Sequence, residues 1–213
     1  SMVTASSSVD AFSKVSNRNF IYYGMFAPGT NFQWKGNLKK YRIAYHNSGD
    51  TDPYNDVAYI TDVDASDPDI TQANGQLTST ARSYWSSYAD GNNSLKGGVL
   101  DRLKNQSSRN IGGINNWDTG NQTIFSTANN FDISNSFVSA EVGATTRTDE
   151  ERAAIINYAK GQDVKDEDGD GDLTEQRGHL GAIVRSGPVA IQYGGTSVDP
   201  SIVIFAVTTD GLL

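Results

Sequence analysis

Short apolar runs dominate the chain and predict β-strands. Residues 19–26 are aromatic and β-branched, and residues 38–46 alternate charged with apolar positions, as half-buried strands do. Residues 57–61 and 188–193 give two further strands. The run at 201–207 is almost continuously apolar, which predicts a strand buried on both faces. We therefore expect a mainly β protein.

Helical spacing is confined to two segments. Residues 98–104 have apolar positions that fit a short helix. Thr148 and Glu151 form a capping box, in which an N-cap Thr is followed three residues later by Glu. Apolar residues follow at helical spacing, and Gly161 is a natural residue for the end of the helix. The sequence predicts a helical insertion near 149–160, set among Asn- and Gly-rich loops.

Composition narrows the classes of function. The 213 residues include 17 Lys and Arg against 25 Asp and Glu, a net charge of −8. A chain this acidic is a poor candidate for nucleic-acid binding, which requires a basic patch. It contains no Cys, which excludes disulfides, thiolate nucleophiles and Cys-based zinc sites. It also has no apolar run of about 18 residues, so we expect no membrane insertion.

The chain ends suggest a piece of a longer protein. Ser1 and Met2 resemble the remainder of a removed purification tag, and residues 1–17 are Ser-rich without periodicity, as in a flexible leader. The chain stops directly after the apolar run at 201–207. We expect residues 18–213 to form a single region.

An Asp-rich loop at 163–176 is the motif with the clearest chemistry. Asp166, Asp168 and Asp170 alternate in a D-x-D-x-D-G pattern, and Gly171 permits the sharp turn. Alternate residues converge on one side of a tight loop, and Ca²⁺ takes six to eight oxygen ligands. We predict a Ca²⁺ site in which these three carboxylates are joined by the backbone carbonyl of Asp172 and by Thr174 or a water molecule that it holds. The alternative is a solvated acidic loop.

This loop departs from the EF-hand pattern at its end. The EF-hand has a bidentate Glu at position 12, where this chain has Arg177. Either Glu175 or Asp163 is a candidate to complete the shell in its place.

Other candidate groups carry weaker signals. A second acidic cluster lacks the Gly turn, and we interpret it as a polar loop, with a second cation site as the alternative; its residues are Asp62, Asp64, Asp67 and Asp69, near Asp50, Asp52 and Asp56. Only His46 and His179 are available for a Ser-His-Asp triad, and no G-x-S-x-G elbow is present. The Trp residues either plug a sheet core or line a sugar-binding face.

Five blocks of the sequence together resemble the PilC/PilY family of type IV pilus tip-associated adhesins. Residues 34–41 (WKGNLKKY) resemble the W-K-G-N-L-K-x-Y signature of this family, and residues 82–85 (RSYW) precede similar DG and GG pairs. The helix at 150–158, the segment 180–189 and the final residues 207–213 follow in the family's order. Two positions depart from the family's pattern, Ala182 for Asp and Arg185 for His.

The resemblance implies a partial β-propeller, the first blades of the family's C-terminal domain. It also implies an exported, non-enzymatic module at the bacterial cell surface, the pilus tip or the outer membrane. Such a module supports pilus extension and attachment, with minor pilins and a host or abiotic surface as partners. A calcium loop is part of this expectation. A carbohydrate-binding β module and a quinoprotein-like propeller enzyme are the alternatives.

Overall fold

The protein is described here by a computed structural model. It describes residues 20–30, 34–46, 57–64, 66, 68–106, 109, 112–115, 123–126, 138, 142–184, 187–195 and 200–209. The predicted leader at 1–17 lies outside these residues. The chain divides into two compact units, Ser1–Arg102 with His179–Leu213, and Leu103–Gly178. The expectation of a single region at 18–213 stays a prediction.

The described residues are mainly β, with antiparallel sheets and two helices. The strands are β1 (Phe20–Ala27), β2 (Lys35–His46), β3 (Val57–Thr61), β4 (Gly112–Asn115), β5 (Thr123–Ser126), β6 (Val189–Gly195) and β7 (Pro200–Phe205). The helices are α1 (Gly98–Lys104) and α2 (Asp149–Ala159). The predicted strands and both predicted helices are therefore present, with small shifts of their ends.

The first unit is built on the antiparallel sheet β1-β2-β3, which has apolar packing on both faces. One face places Ile21 and Tyr41 against Ile70, Leu77 and other residues of the following loops. The opposite face places Tyr22 and Leu38 in a cluster with Ile183, Ala190 and the hairpin β6-β7. Neighbouring residues of β1 and β2 thus face different parts of the core, which explains the dense aromatic run in β1.

The expected burial of the last strand on both faces is wrong. Ile202 and Ile204 of β7 pack against the core, whereas Val203 and Phe205 are each 44% exposed. Strand β6 shows the same division, with Ala190 buried and its odd-numbered neighbours exposed. The hairpin is a two-stranded sheet, and the described residues pack against one of its faces.

A buried ion pair connects the start of β2 to the loop before α1. Lys39 is fully buried, and its Nζ lies 3.0 Å from Oδ2 of Asp90. This amine also donates hydrogen bonds to the carbonyl oxygens of Asp90 at 3.0 Å and Gly91 at 2.9 Å. The Asp90 carboxylate accepts hydrogen bonds from the Ser83 amide and the Ser86 hydroxyl. The pair therefore has the additional hydrogen bonds that a buried charge requires.

Close contacts between backbone segments explain why small or amide residues are found at positions 36, 37 and 98, near this ion pair. A Cβ atom on Gly36 would lie 2.7 Å from Cα of Ala182. The buried Asn37 side chain donates to the carbonyl oxygens of Lys96 and Gly97 at 3.1 and 3.0 Å. A Cβ atom on Gly98 would lie 2.6 Å from the Leu38 carbonyl oxygen. The WKGNLKKY block and the later D-G and G-G pairs thus form one packed assembly.

The second unit contains the strand pair β4-β5 and helix α2. The predicted capping box is present: the Glu151 amide donates to Oγ1 of Thr148 at 3.3 Å, and the Thr148 amide donates to Oε2 of Glu151 at 2.9 Å. The helix is followed by Gly161 at φ 97°, a left-handed conformation that favours Gly. The helix end is therefore fixed by local chemistry, and the chain turns directly into the acidic loop.

The finer expectation of a propeller stays a prediction. A propeller blade has four strands, whereas the sheets among the described residues have three, two and two. In the same part of the chain, no helix has the length and apolar character needed to cross a bilayer.

Candidate metal site

The acidic loop is closed at its base by backbone hydrogen bonds. The Asp163 amide donates to the Glu175 carbonyl oxygen at 2.9 Å, and the Arg177 amide donates to that of Gly161 at 2.8 Å. The Asp163 side chain is buried, and both of its carboxylate oxygens accept the Glu167 amide, at 3.0 and 2.9 Å. The loop is thus fixed at its two ends.

Inside this loop, the three alternating carboxylates converge. One oxygen from each of Asp166, Asp168 and Asp170 lies within 4.8 Å of the others. Asp166 adopts a left-handed conformation with φ 53°, and its Oδ1 accepts the Gly171 amide at 3.0 Å. Gly171 itself has φ 86°. With Gly169 at φ 79°, three left-handed residues therefore bend the chain so that the carboxylates converge.

A second set of carboxylates shares one member with the first. Oxygens of Asp163, Asp168 and Glu175 also lie within 4.8 Å of one another. Both residues that the sequence left as candidates to complete the shell therefore approach Asp168. Oε1 of Glu175 is buried and has no hydrogen-bond partner among the described residues. A cation between these groups would satisfy that oxygen and offset the repulsion among the carboxylates. The residues of the two sets are thus able to hold a metal ion.

Asp172 belongs to neither carboxylate set, and its side chain bonds to Thr174. Oδ1 of Asp172 accepts the Thr174 amide at 2.8 Å and the Thr174 hydroxyl at 2.6 Å. These bonds hold the pKa of Asp172 below its usual value. Oδ1 of Asp172 is thus used in this turn, whereas the ligand expected from this residue is its backbone carbonyl oxygen. That contribution stays a prediction.

Arg177, at the position where an EF-hand has its Glu, has a structural role. Its Nη2 donates to the Tyr158 carbonyl oxygen at 3.0 Å, and its guanidinium carbon lies 3.7 Å from the Tyr158 ring centroid. Tyr158 in turn donates from its hydroxyl to Glu167 at 3.1 Å. The position-12 residue therefore fastens the loop to helix α2, and its charge is paired with Glu167, whose Oε1 lies 3.7 Å from Nη1 of Arg177.

Lys104 occupies part of the site through a surface ion pair. Its Nζ lies 3.1 Å from Oδ2 of Asp168, and both side chains are about half exposed. The hydrogen bond with Lys104 lowers the pKa of Asp168. Desolvation and then the nearby charge of Asp168 raise the pKa of Glu175. An exposed pair contributes only about 0–1 kcal/mol, so a divalent cation that binds several carboxylates would displace Lys104.

The described members of the second acidic cluster cap turns. The carboxylate of Asp62 accepts the amides of Asp64 and Arg82, both at 2.8 Å. Asp64 accepts from Ser66, and Asp69 accepts from Thr71. None of these described residues belongs to a carboxylate set that would suit a metal. Asp50, Asp52, Asp56 and Asp67 lie outside the described residues.

The aromatic candidates pack against other aromatic rings. Trp34 stacks on Phe26 with centroids 5.7 Å apart, and Trp85 lies 5.8 Å from Tyr22 beside the core. His46 ends β2 and stacks on Tyr59 at 4.1 Å. Trp117 lies outside the described residues. These contacts favour a packing role for both described Trp side chains.

Comparison with protein-family models, with curated proteins and with solved structures finds no match for this chain. Neither the buried pair of Lys39 and Asp90 nor the contact between Lys104 and Asp168 was predicted from the sequence. The sequence did contain one sign of the buried pair, the adjacent residues Lys39 and Lys40. Consecutive residues of a strand face opposite sides of the sheet, so one of these two Lys side chains must lie on the inner side.

Proposed function

We propose that this chain is a non-enzymatic module that binds a structural Ca²⁺ in its acidic loop. The observation that carries the proposal is the convergence of Asp166, Asp168 and Asp170 in a loop held at both ends. Asp163 and Glu175 supply further oxygens around Asp168. Such an all-carboxylate surrounding favours Ca²⁺ over Mg²⁺, which retains most of its water ligands.

The expected affinity is that of an extracellular calcium module. The bidentate Glu of the EF-hand is replaced by Arg177, which packs on Tyr158. With that ligand missing, we expect a dissociation constant of roughly 10⁻⁵ to 10⁻³ M. This corresponds to about 4–7 kcal/mol of binding free energy, which exceeds the contribution of the Lys104 ion pair. A compartment with abundant calcium would keep the site filled.

We further propose that the module belongs to a type IV pilus tip adhesin or biogenesis factor of the PilC/PilY kind. In this role it is exported to the bacterial surface and supports pilus extension and attachment, with minor pilins and the bound surface as partners. The five sequence blocks support the proposal, and the Lys39–Asp90 pair joins two of them in the fold. A partial propeller is the corresponding fold proposal.

The metal is tested by calorimetric titration with Ca²⁺ and by thermal melting with and without chelator. At a Ca²⁺ concentration a hundredfold above the dissociation constant, the stability gain should be about 2.7 kcal/mol. Asp168→Asn should abolish this gain because Asp168 belongs to both carboxylate sets. Asp69→Asn is the control, since it makes the same Asp-to-Asn change at an exposed loop residue outside those sets, where Asp69 accepts from Thr71. A wild-type chain without heat of binding or a calcium-dependent melting shift would contradict the proposal.

The pilus role is tested separately in the bacterium that encodes the chain. The allele with Asp168→Asn and Asp170→Asn should reduce surface attachment and the number of extended pili, while the Asp69→Asn allele should leave both unchanged. Normal piliation and attachment in a strain lacking the whole protein would contradict the pilus role and leave the metal result intact.

A further inference from the structure

One face of the β6-β7 hairpin is exposed and apolar, and neither of its two strands contains a charged residue. Its residues are Val189, Ile191, Tyr193, Val203 and Phe205, which are 50%, 41%, 66%, 44% and 44% exposed. Val189 is opposite Phe205, and Ile191 is opposite Val203. The rings of Tyr193 and Phe205 approach to 6.5 Å between centroids. These five side chains therefore form one continuous surface, which we call the hairpin face.

The opposite side of the same hairpin packs against its own chain. The hairpin face is therefore not needed for that packing. Ala190, Ile202 and Ile204 pack in the core cluster with Tyr22 and Leu38. A strand that is apolar on both faces is typical of burial on both faces. An apolar sheet face left in water promotes uncontrolled association. A specific partner would remove that exposure.

We infer that the hairpin face binds the same face of a second copy of this chain, forming a two-fold symmetric dimer. From the exposed fractions and the usual areas of aliphatic and aromatic side chains, the face presents roughly 500 Å². Two copies would bury roughly 1,000 Å² in total, the lower bound for a specific, reversible interface. An uncharged face needs an uncharged partner surface of matching size, and a second copy supplies one.

The dimer is tested by sedimentation of the full chain at increasing concentration. We expect a monomer–dimer equilibrium that strengthens with added salt, because two chains of charge −8 repel each other and salt screens that repulsion. Ile191→Lys and Val203→Lys should each raise the dissociation constant at least about a hundredfold, since both copies would bury an unpaired charge. Val57→Lys, at an exposed residue of β3, is the matched control.

A cross-linking experiment gives a second measurement that does not need a destabilising variant. The chain has no Cys, so Ile191→Cys introduces a single thiol in each copy. Packed sheets lie about 10 Å apart, which exceeds the Cα separation of a disulfide, so a short bifunctional maleimide is the suitable reagent. Ile191→Cys should yield the covalent dimer, and Val57→Cys should not.

Three results would overturn the inference. The first is sedimentation as a monomer at all concentrations between about 1 and 100 µM, the range in which an interface of modest affinity forms. A dimer could persist in both folded Lys variants, which would place the interface elsewhere. Ile191→Cys and Val57→Cys could cross-link equally, which would indicate random collision.

Discussion

Removing the buried amine of Lys39 should destabilise the first unit strongly. Lys39→Met keeps most of the side-chain volume but leaves the Asp90 carboxylate buried without its cation, 3.0 Å from the lost Nζ. Two carbonyl oxygens, those of Asp90 and Gly91, also lose their donor. Breaking a buried pair in this way costs about 3–5 kcal/mol, a large part of the roughly 5–15 kcal/mol that stabilises a typical domain.

A double-mutant cycle separates the pair from the surrounding packing. Desolvation lowers the pKa of Lys39, and the charge of Asp90 opposes this effect, so Asp90 favours the charged form of Lys39. Asp90→Asn can still accept the Ser83 amide through its remaining oxygen. The variant with both changes should therefore lose less stability than the sum of the single variants, with a coupling of about 0.5–3 kcal/mol.

Denaturant unfolding followed by Trp fluorescence is the suitable assay. Trp85 packs beside Tyr22 in the same unit and reports its unfolding. Lys96→Met is the matched control, because Lys96 is exposed and a surface substitution of this kind changes stability by less than about 0.5 kcal/mol. A loss below about 1 kcal/mol for Lys39→Met, or strictly additive effects in the cycle, would refute the reasoning.

Three further changes test other parts of the fold. Gly36→Ala should lower unfolding free energy by about 1–3 kcal/mol in denaturant titration, because its Cβ would press on the backbone of Ala182; unchanged stability would contradict that close approach. Thr148→Ala should lower the free energy of unfolding by about 0.5–2 kcal/mol because the N-cap hydrogen bond is lost. Thermal melting of the helical circular dichroism signal measures this change, and Thr80→Ala, at an exposed Thr, is the control. Arg177→Met should loosen the acidic loop and weaken Ca²⁺ binding in calorimetry, although Arg177 is no ligand, because it fastens the loop to Tyr158; equal affinity would show that this contact does not hold the site.

The sequence alone determined those features that depend on local chemistry. Apolar and alternating patterns predicted five of the seven described strands, all except β4 and β5. The capping box at Thr148 predicted the start of α2, because a helix N-terminus is satisfied by its own neighbours. The spacing of Asp166, Asp168 and Asp170, with Gly171, predicted that these carboxylates converge, since a short loop brings alternate residues to one side.

Only the tertiary structure decided which distant groups meet. Lys39 and Asp90 are separated by about fifty residues. An alternating strand pattern predicts that a Lys faces solvent, and the sequence does not show that Asp90 lies close enough to pair with it. The same limit explains β7, whose apolar run predicted burial on both faces, whereas the fold supplies packing for one face only. A local sequence pattern indicates whether a residue favours a buried or an exposed position. Packing between segments that are distant in the sequence decides whether the fold provides that position.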